Sequence, residues 1–372
     1  MRGRLAIVAV LLLAGPAVAD WPLARGDAES SGVAKSRLAD QPKLLWRYTA
    51  PGSAFEATPV MAGGVVYVGD ADGTLHAVRL ADGGKVWSRA FEESGFIAAG
   101  AIRGDRLYVG DMYGDVFCVS AGTGELIWRF ATDSEVYAGP SFYEGAVLVT
   151  TEGGTLFALD AASGKELWRF TIEAPLRCLP TVIKGHTLLA GCDAKLHAVD
   201  LSTGAEVGGI EIEGQTGCTP AAVGDRVYFG TEAGVFLAVD ASDLAAMSIA
   251  WKYQDPRRGQ GIRCAAGANG SLVVYGSNGK AIYGLDPVTG QPKWEKPVRS
   301  RVESSPLIVG DRVVAATTRG RLLLLNAADG ETVWDYDAGG GFTSSPVVVD
   351  GKLLIANTDG TLYCFGSETA RE

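Results

Sequence analysis

The sequence predicts an all-β protein, an eight-bladed β-propeller of four-stranded antiparallel blades, and three observations carry that expectation. The first is a tryptophan that recurs about every 40 residues. Trp46, Trp87, Trp128, Trp168, Trp251, Trp294 and Trp334 lie 41, 41, 40, 83, 43 and 40 residues apart. The single double-length gap marks a slot without tryptophan, held by Gly208, and brings the count to eight units. The second is a turn pair at the same place in each unit: Gly63-Gly64, Gly104-Asp105, Glu144-Gly145, Lys184-Gly185, Gly224-Asp225, Asn269-Gly270, Gly310-Asp311 and Asp350-Gly351. Such pairs suit the positive φ of two-residue hairpins. The third is the run of apolar residues within strands, as in Val65-Val66-Tyr67-Val68 and Leu322-Leu323-Leu324-Leu325. Strands apolar on both faces need cover on both, which radial stacking of blades supplies while protecting their edges.

Residues 1–19 read as a signal peptide, with Arg2 and Arg4 ahead of the apolar run Leu5 to Ala14 and a cleavage site at Ala17-Val18-Ala19. Residues 20–42 then form a leader, 43–366 the propeller and 367–372 a short tail. No transmembrane segment or lipid anchor is expected, because no other apolar run reaches about 18 residues and no cysteine follows the cleavage site. The chain is therefore expected in the periplasm or secreted. The last unit ends after its third strand at Phe365, while Leu44-Leu45-Trp46-Arg47-Tyr48 is a tryptophan strand with no unit of its own. The N-terminal strand is expected to complete the last blade and close the ring.

Composition narrows function. The net charge is −10, and loss of Arg2 and Arg4 with the leader peptide takes it to −12, which opposes attraction to phosphate backbones and makes nucleic acid an unexpected partner. Glycine supplies 50 of 372 residues, well above the usual share of roughly 7%, as an all-β chain rich in tight turns requires. The runs Asp160-x-x-Ser163-Gly164, Asp200-x-x-Thr203-Gly204 and Asp286-x-x-Thr289-Gly290 imitate a carboxylate site but read as Asx-turns, and the tryptophans read as packing anchors between blades.

The segment Gly153-Gly154-Thr155-Leu156-Phe157-Ala158-Leu159-Asp160-Ala161-Ala162-Ser163-Gly164-Lys165-Glu166-Leu167-Trp168 resembles the pyrroloquinoline quinone (PQQ) repeat, and the resemblance extends over nearly all of residues 43–365. The opening Trp21-Pro22-x-x-Arg25-Gly26 is similar to the leader of exported PQQ-like propellers. The resemblance implies the eight-bladed fold and two kinds of relative, quinoprotein alcohol dehydrogenases and the non-catalytic outer-membrane assembly protein BamB. The adjacent Cys-Cys pair that the dehydrogenases place beside the quinone and the haem-attachment Cys-x-x-Cys-His of many of them are both absent from the sequence, as is BamB's lipidated cysteine.

Exceptions to the repeat mark candidate sites. Strand starts and second turns fall at one rim, here the top. There Cys178, Cys218 and Cys264 replace the usual Ser or Ala in blades four to six, and Cys192 sits in the second turn of blade four. Three readings stand open: a disulfide, buried thiols, or a thiolate metal site. Cys118 and Cys364 occupy a small-residue slot and read as core. Arg177 and Arg263 precede Cys178 and Cys264; Glu56, Tyr137 and Glu303 hold the same slot in blades one, three and seven, which places all five near the central mouth. Arg257 and Arg258 lie in an enlarged loop between blades five and six. These arginines suit an anionic ligand or an acidic partner segment, or else pair with neighbouring carboxylates such as Glu303 or Asp255.

No metal set is expected of the histidines: His76 and His197 lie three blades apart and His186 at the opposite rim. No nucleophile motif stands beside a base, so no catalytic residue is assigned. The expected function is an exported, non-catalytic interaction platform of the cell envelope with an envelope protein as partner and no cofactor. A small PQQ-dependent dehydrogenase and an anion-binding protein using the channel mouth are the alternatives.

Overall fold

The computed structural model describes residues 20–257 and 259–367. Eight sheets are arranged as the repeat requires. Blades 1 to 7 run from inner to outer strand as consecutive meanders, beginning with Val60–Ala62, Ala101–Arg103, Ser141–Tyr143, Thr181–Ile183, Ala221–Val223, Gly267–Ala268 and Leu307–Val309. Blade 8 contributes Val347–Val349, Lys352–Ala356 and Thr361–Gly366, and its outer strand is Lys43–Thr49 from the chain's start, antiparallel to Thr361–Gly366. The two ends of the propeller thus close one sheet. The middle strands are buried almost throughout, as in Ala146–Thr150 and Ala281–Leu285, which confirms cover on both faces.

Turn chemistry sets the register. Lys184 and Gly185 take φ of 47° and 75°, so Ile183 pairs with His186 and Thr181 with Leu188. Asn269-Gly270 departs from this expectation. Ala268 pairs with Val273 across a four-residue loop, and the Asn269 side chain accepts the N–H groups of Ser271 and Leu272, both at 2.9 Å. The asparagine acts there as an Asx cap instead of entering the left-handed region.

The tryptophans latch one blade to the next. Every outer strand bulges one residue before the tryptophan slot, as between Leu126 and Trp128, which turns the indole toward the following blade. Trp46, Trp87, Trp128, Trp251 and Trp294 then donate their Nε1–H to the carbonyls of Leu80, Ala121, Ala161, Pro287 and Ala327 in the third turn of that blade. The ring lies on a glycine there: a Cβ at Gly164 would stand 2.6 Å from Trp128.

Blade 4 lacks the latch because its space is filled from the other side. The third turn of blade 5 is lengthened into a short 3-10 helix, Leu244–Ala246, and a Cβ at Gly208 would meet the Leu244 carbonyl at 2.0 Å. A compensating insertion therefore replaces the lost indole. Gly208→Trp is expected to destabilise the protein instead of restoring the repeat, while Trp128→Ala costs about 3–5 kcal/mol by loss of a buried indole. Denaturant unfolding of both variants checks this, and a stabilised G208W protein refutes the compensation.

Ring closure makes a second prediction. Deletion of residues 43–49 leaves Thr361–Gly366 as an edge strand paired only with Lys352–Ala356, and exchange of the amides that face the lost strand should rise sharply. Unchanged protection in that strand would show that the N-terminal strand is not what closes the ring.

Candidate functional site

The leader runs along the wall of the central channel. Trp21 exchanges backbone hydrogen bonds with Met61 in blade 1, both at 2.8 Å. The carbonyls of Pro22, Ala28, Glu29, Ser31 and Gly32 then accept from Ile102, Val182, Ala222, Ala268 and Ile308, on the inner strands of blades 2, 4, 5, 6 and 7. Val33–Ala34 ends the circuit as a short parallel strand beside Ile308 and Val309. Leu23 packs in the cluster that contains Phe142 of blade 3. Residues 21–34 therefore satisfy a set of inner-edge donors that the closed ring would otherwise leave to solvent.

Arg25 crosses the bore from this leader. Its side chain is buried and donates to three carbonyls, Ser305 at 3.2 Å, Ala266 at 2.9 Å and Pro306 at 2.7 Å. Burial pushes its guanidinium down to about 10, opposed by nearby Cys264 and Asp27, so it remains a cation at neutral pH. A Cβ at Gly32 would lie 2.0 Å from Nη2, so glycine there makes room for the arginine. Its Nε is buried without a partner among the described residues.

Above this floor lies a mouth cavity of about 200 Å³ whose lining includes Ala24, Arg25, Glu56, Tyr137, Arg177 and Arg263. Four of the five residues assigned to the mouth from the sequence thus converge there. Glu303 does not line it and instead pairs outward with Arg301 at 3.2 Å. The mouth arginines are paired, though not with the carboxylates expected. Arg177 is held by Glu152 in a bidentate pair that includes a 2.7 Å contact, and Arg263 by Glu232 at 2.9 Å. The Glu152 hydrogen bonds, against some desolvation, raise the Arg177 pKa further. Arg257 contacts Asp255 at 3.5 Å and Glu295. Arg258 lies outside the described residues.

The cysteines form no disulfide. All six are free thiols, and those at the top are engaged singly: Cys192 with the Thr216 carbonyl, Cys218 with that of Ile262 and Cys264 with that of Gly276. Cys178 and Cys192 share blade 4, while Cys218 and Cys264 lie on blades 5 and 6. Burial raises the thiols of Cys178, Cys218 and Cys264, Cys178 to about 12 and Cys264 to about 11, which suppresses thiolate chemistry. Cys118 and Cys364 are buried core residues. Among the described residues no group of three or more His, Cys, Asp and Glu could hold a metal ion. His197 is instead bonded to Asp193 and Glu206, and His76 links Asp70 to Tyr48 across the junction of blades 1 and 8.

Blade number, blade topology and a leader lining the channel define the class of this protein, a PQQ-type β-propeller. The chain belongs to the family described as outer membrane protein assembly factor BamB, whose model matches residues 35–96, 71–243 and 158–372. It is similar in structure to BamB from Moraxella catarrhalis, with 18% identity and a TM-score of 0.76 over 88% of this chain and all of that one. It is also similar to the quinohemoprotein alcohol dehydrogenase from Comamonas testosteroni, with 16% identity and a TM-score of 0.77 over 95% of this chain and 82% of that one. A computationally designed protein, Ika8, matches at 17% identity and a TM-score of 0.77, over 87% of this chain and all of that one. At these identities the likeness is one of fold. No curated protein matches the sequence.

The quinone of the dehydrogenases is a planar tricarboxylate, and the mouth does not fit it. The cavity is smaller than the roughly 300–1,000 Å³ usual for ligand pockets. Arg177 and Arg263 are already committed to carboxylates, and Tyr137 is the one aromatic ring among the described lining residues.

Arg25→Met, which keeps bulk but removes three buried hydrogen bonds, is expected to destabilise the protein by about 2–4 kcal/mol. Urea unfolding measures this. A stability equal to wild type would show that Arg25 does not pin the leader.

Proposed function

We propose that this protein is a non-catalytic interaction platform of the cell envelope, exported to the periplasm or secreted, and that it works by presenting its top face to an envelope protein. The observation that carries the reading is the leader in the bore. With Arg25 at its floor and the mouth arginines already paired, the channel offers little reactive chemistry, and the surface left for recognition is the rim. Membership of a family described as an outer membrane assembly factor supports the envelope and the protein partner. No helix among the described residues is long and apolar enough to cross a membrane. Tyr113 and Tyr137 stand exposed at the top of blades 2 and 3, aromatic groups of the kind that anchor protein interfaces.

One observation favours a second reading, a small anion bound at the mouth. The unpartnered Nε of Arg25 belongs to a buried cation that lines the cavity, and a carboxylate or inorganic anion would satisfy it.

The test is photocrosslinking in intact cells from positions 113 and 137, with position 288 on the exposed third turn of blade 6 as control. Adducts to a discrete envelope protein from the first two positions are expected. Absence of such adducts, together with a quinone absorbance and dye-linked alcohol oxidation by the purified protein, would overturn the platform in favour of a dehydrogenase.

A further inference from the structure

The top rim carries a reversal of charge confined to one sector. The second residue beyond the outer strand is Glu92 in blade 1, Asp133 in blade 2, Glu173 in blade 3 and Glu213 in blade 4. These positions are structurally equivalent, because the residue before each donates its N–H to the last residue of the blade's own top turn: Phe91 to Gly73, Thr132 to Gly114, Ile172 to Gly154 and Ile212 to Ala194. Val298 makes the same bond to Lys280, and the residue after it is Arg299. Arg301 follows two residues on, and the top turn of blade 7 adds Arg319.

Lys280 is itself an exception. It takes a φ of 62° at the position where blades 1, 2, 3, 5, 7 and 8 have glycine, a conformation unfavourable to a residue with a Cβ. With Ser300 and Thr318, these four cations line an open cleft of about 460 Å³ between blades 6 and 7. The loop that carries them is braced, since the Thr318 N–H and hydroxyl both reach the Arg301 carbonyl, at 3.0 and 3.3 Å. Arg301 is paired with Glu303. Among the described residues Arg299 and Arg319 have no carboxylate partner, unlike the arginines of the mouth.

We propose that this cleft binds a short acidic segment of a partner protein, with carboxylates seated on the guanidinium groups of Arg299 and Arg319. This deepens the platform reading and rests on it for the partner being a protein. A guanidinium fork matches a carboxylate in two parallel hydrogen bonds. The described residues that line the cleft are all charged or hydroxyl-bearing, with no apolar or aromatic side chain among them to hold the body of a small molecule. The net charge of −10 repels long polyanions and anionic membranes at distances beyond the cleft, so the ligand is short and acidic only locally. The acidic positions of blades 1–4 give the same face an opposite pole, which fixes how the partner lies.

The test is fluorescence anisotropy of a labelled hexaglutamate peptide with the full mature chain at low salt. Saturable binding that weakens as salt rises is expected, and Arg299→Glu with Arg319→Glu should weaken it at least tenfold. Lys85→Glu with Arg89→Glu, on the outer wall of blade 1, should leave it unchanged. Arg299→Gln with Arg319→Gln serves if the charge-reversed protein fails to melt as wild type does. Equal binding by wild type and the rim variants overturns the proposal. So does preferential binding of inorganic phosphate or of anionic phospholipid vesicles through the same arginines. Absence of saturable peptide binding while the adducts from positions 113 and 137 persist overturns this inference and leaves the platform standing.

Discussion

The structure depends on a circle that must close. Each blade is a sheet buried on both faces, so none can be covered until its two neighbours are in place, and the last blade lacks its outer strand until Lys43–Thr49 arrives. The contacts across this junction share the load in several ways. Trp46 donates to Leu80 in blade 1, Tyr48 reaches His76, and the Ser345 N–H is accepted by the Thr58 hydroxyl at 2.9 Å. Similar hydroxyl stitches join blades 6 to 7 and 7 to 8 through Ser305 and Ser345, which explains the small polar residues that open those strands.

A closed ring creates its own problem at the axis, where the inner strands of the eight blades present backbone groups to the central channel. The leader solves it by running along those strands, and Arg25 fills the centre with a cation bonded to three carbonyls. The consequence for chemistry is that the channel, the natural ligand site of a propeller, is largely occupied by the chain itself. Charge on the rim then carries more of the recognition. Of the described cations near the mouth, Arg177 and Arg263 are neutralised locally, whereas Arg299 and Arg319 at blades 6 and 7 have no carboxylate partner among the described residues, and polarity of that kind governs orientation and encounter more than raw affinity.

The blades were legible because strand burial, hairpin chemistry and the tryptophan latch all repeat with one period, so each unit corroborates the others. The mouth residues Glu56, Tyr137, Arg177 and Arg263 were legible for the same reason, by superposing units. What escaped was whatever has no counterpart in the repeat. Residues 21–34 show no strand alternation because they follow the ring's inner edge and pair one bond at a time, and Arg25 in isolation reads as a solvated cation. The Leu244–Ala246 insertion fills the place of the Trp lost at Gly208, a pairing between units that comparison of like positions cannot show. The cysteines misled by alignment: their clustering at the top of blades 4 to 6 suggested a pairing, whereas all are free and Cys192, Cys218 and Cys264 each engage a backbone carbonyl. The reversal at Arg299 was readable in principle, by comparing the residues after each outer strand instead of those before each inner one.

The leader's path also orders assembly in time. The part of the chain synthesised first is held by the part synthesised last: Arg25 to Ser305 across 280 residues, Ser345 to Thr58 across 287, and Arg47 to Tyr336 across 289. Contacts of such separation form slowly. The nascent protein must therefore keep its opening segment free of misplaced partners until seven blades have been laid down, and its final commitment to the native state is made by its oldest residues.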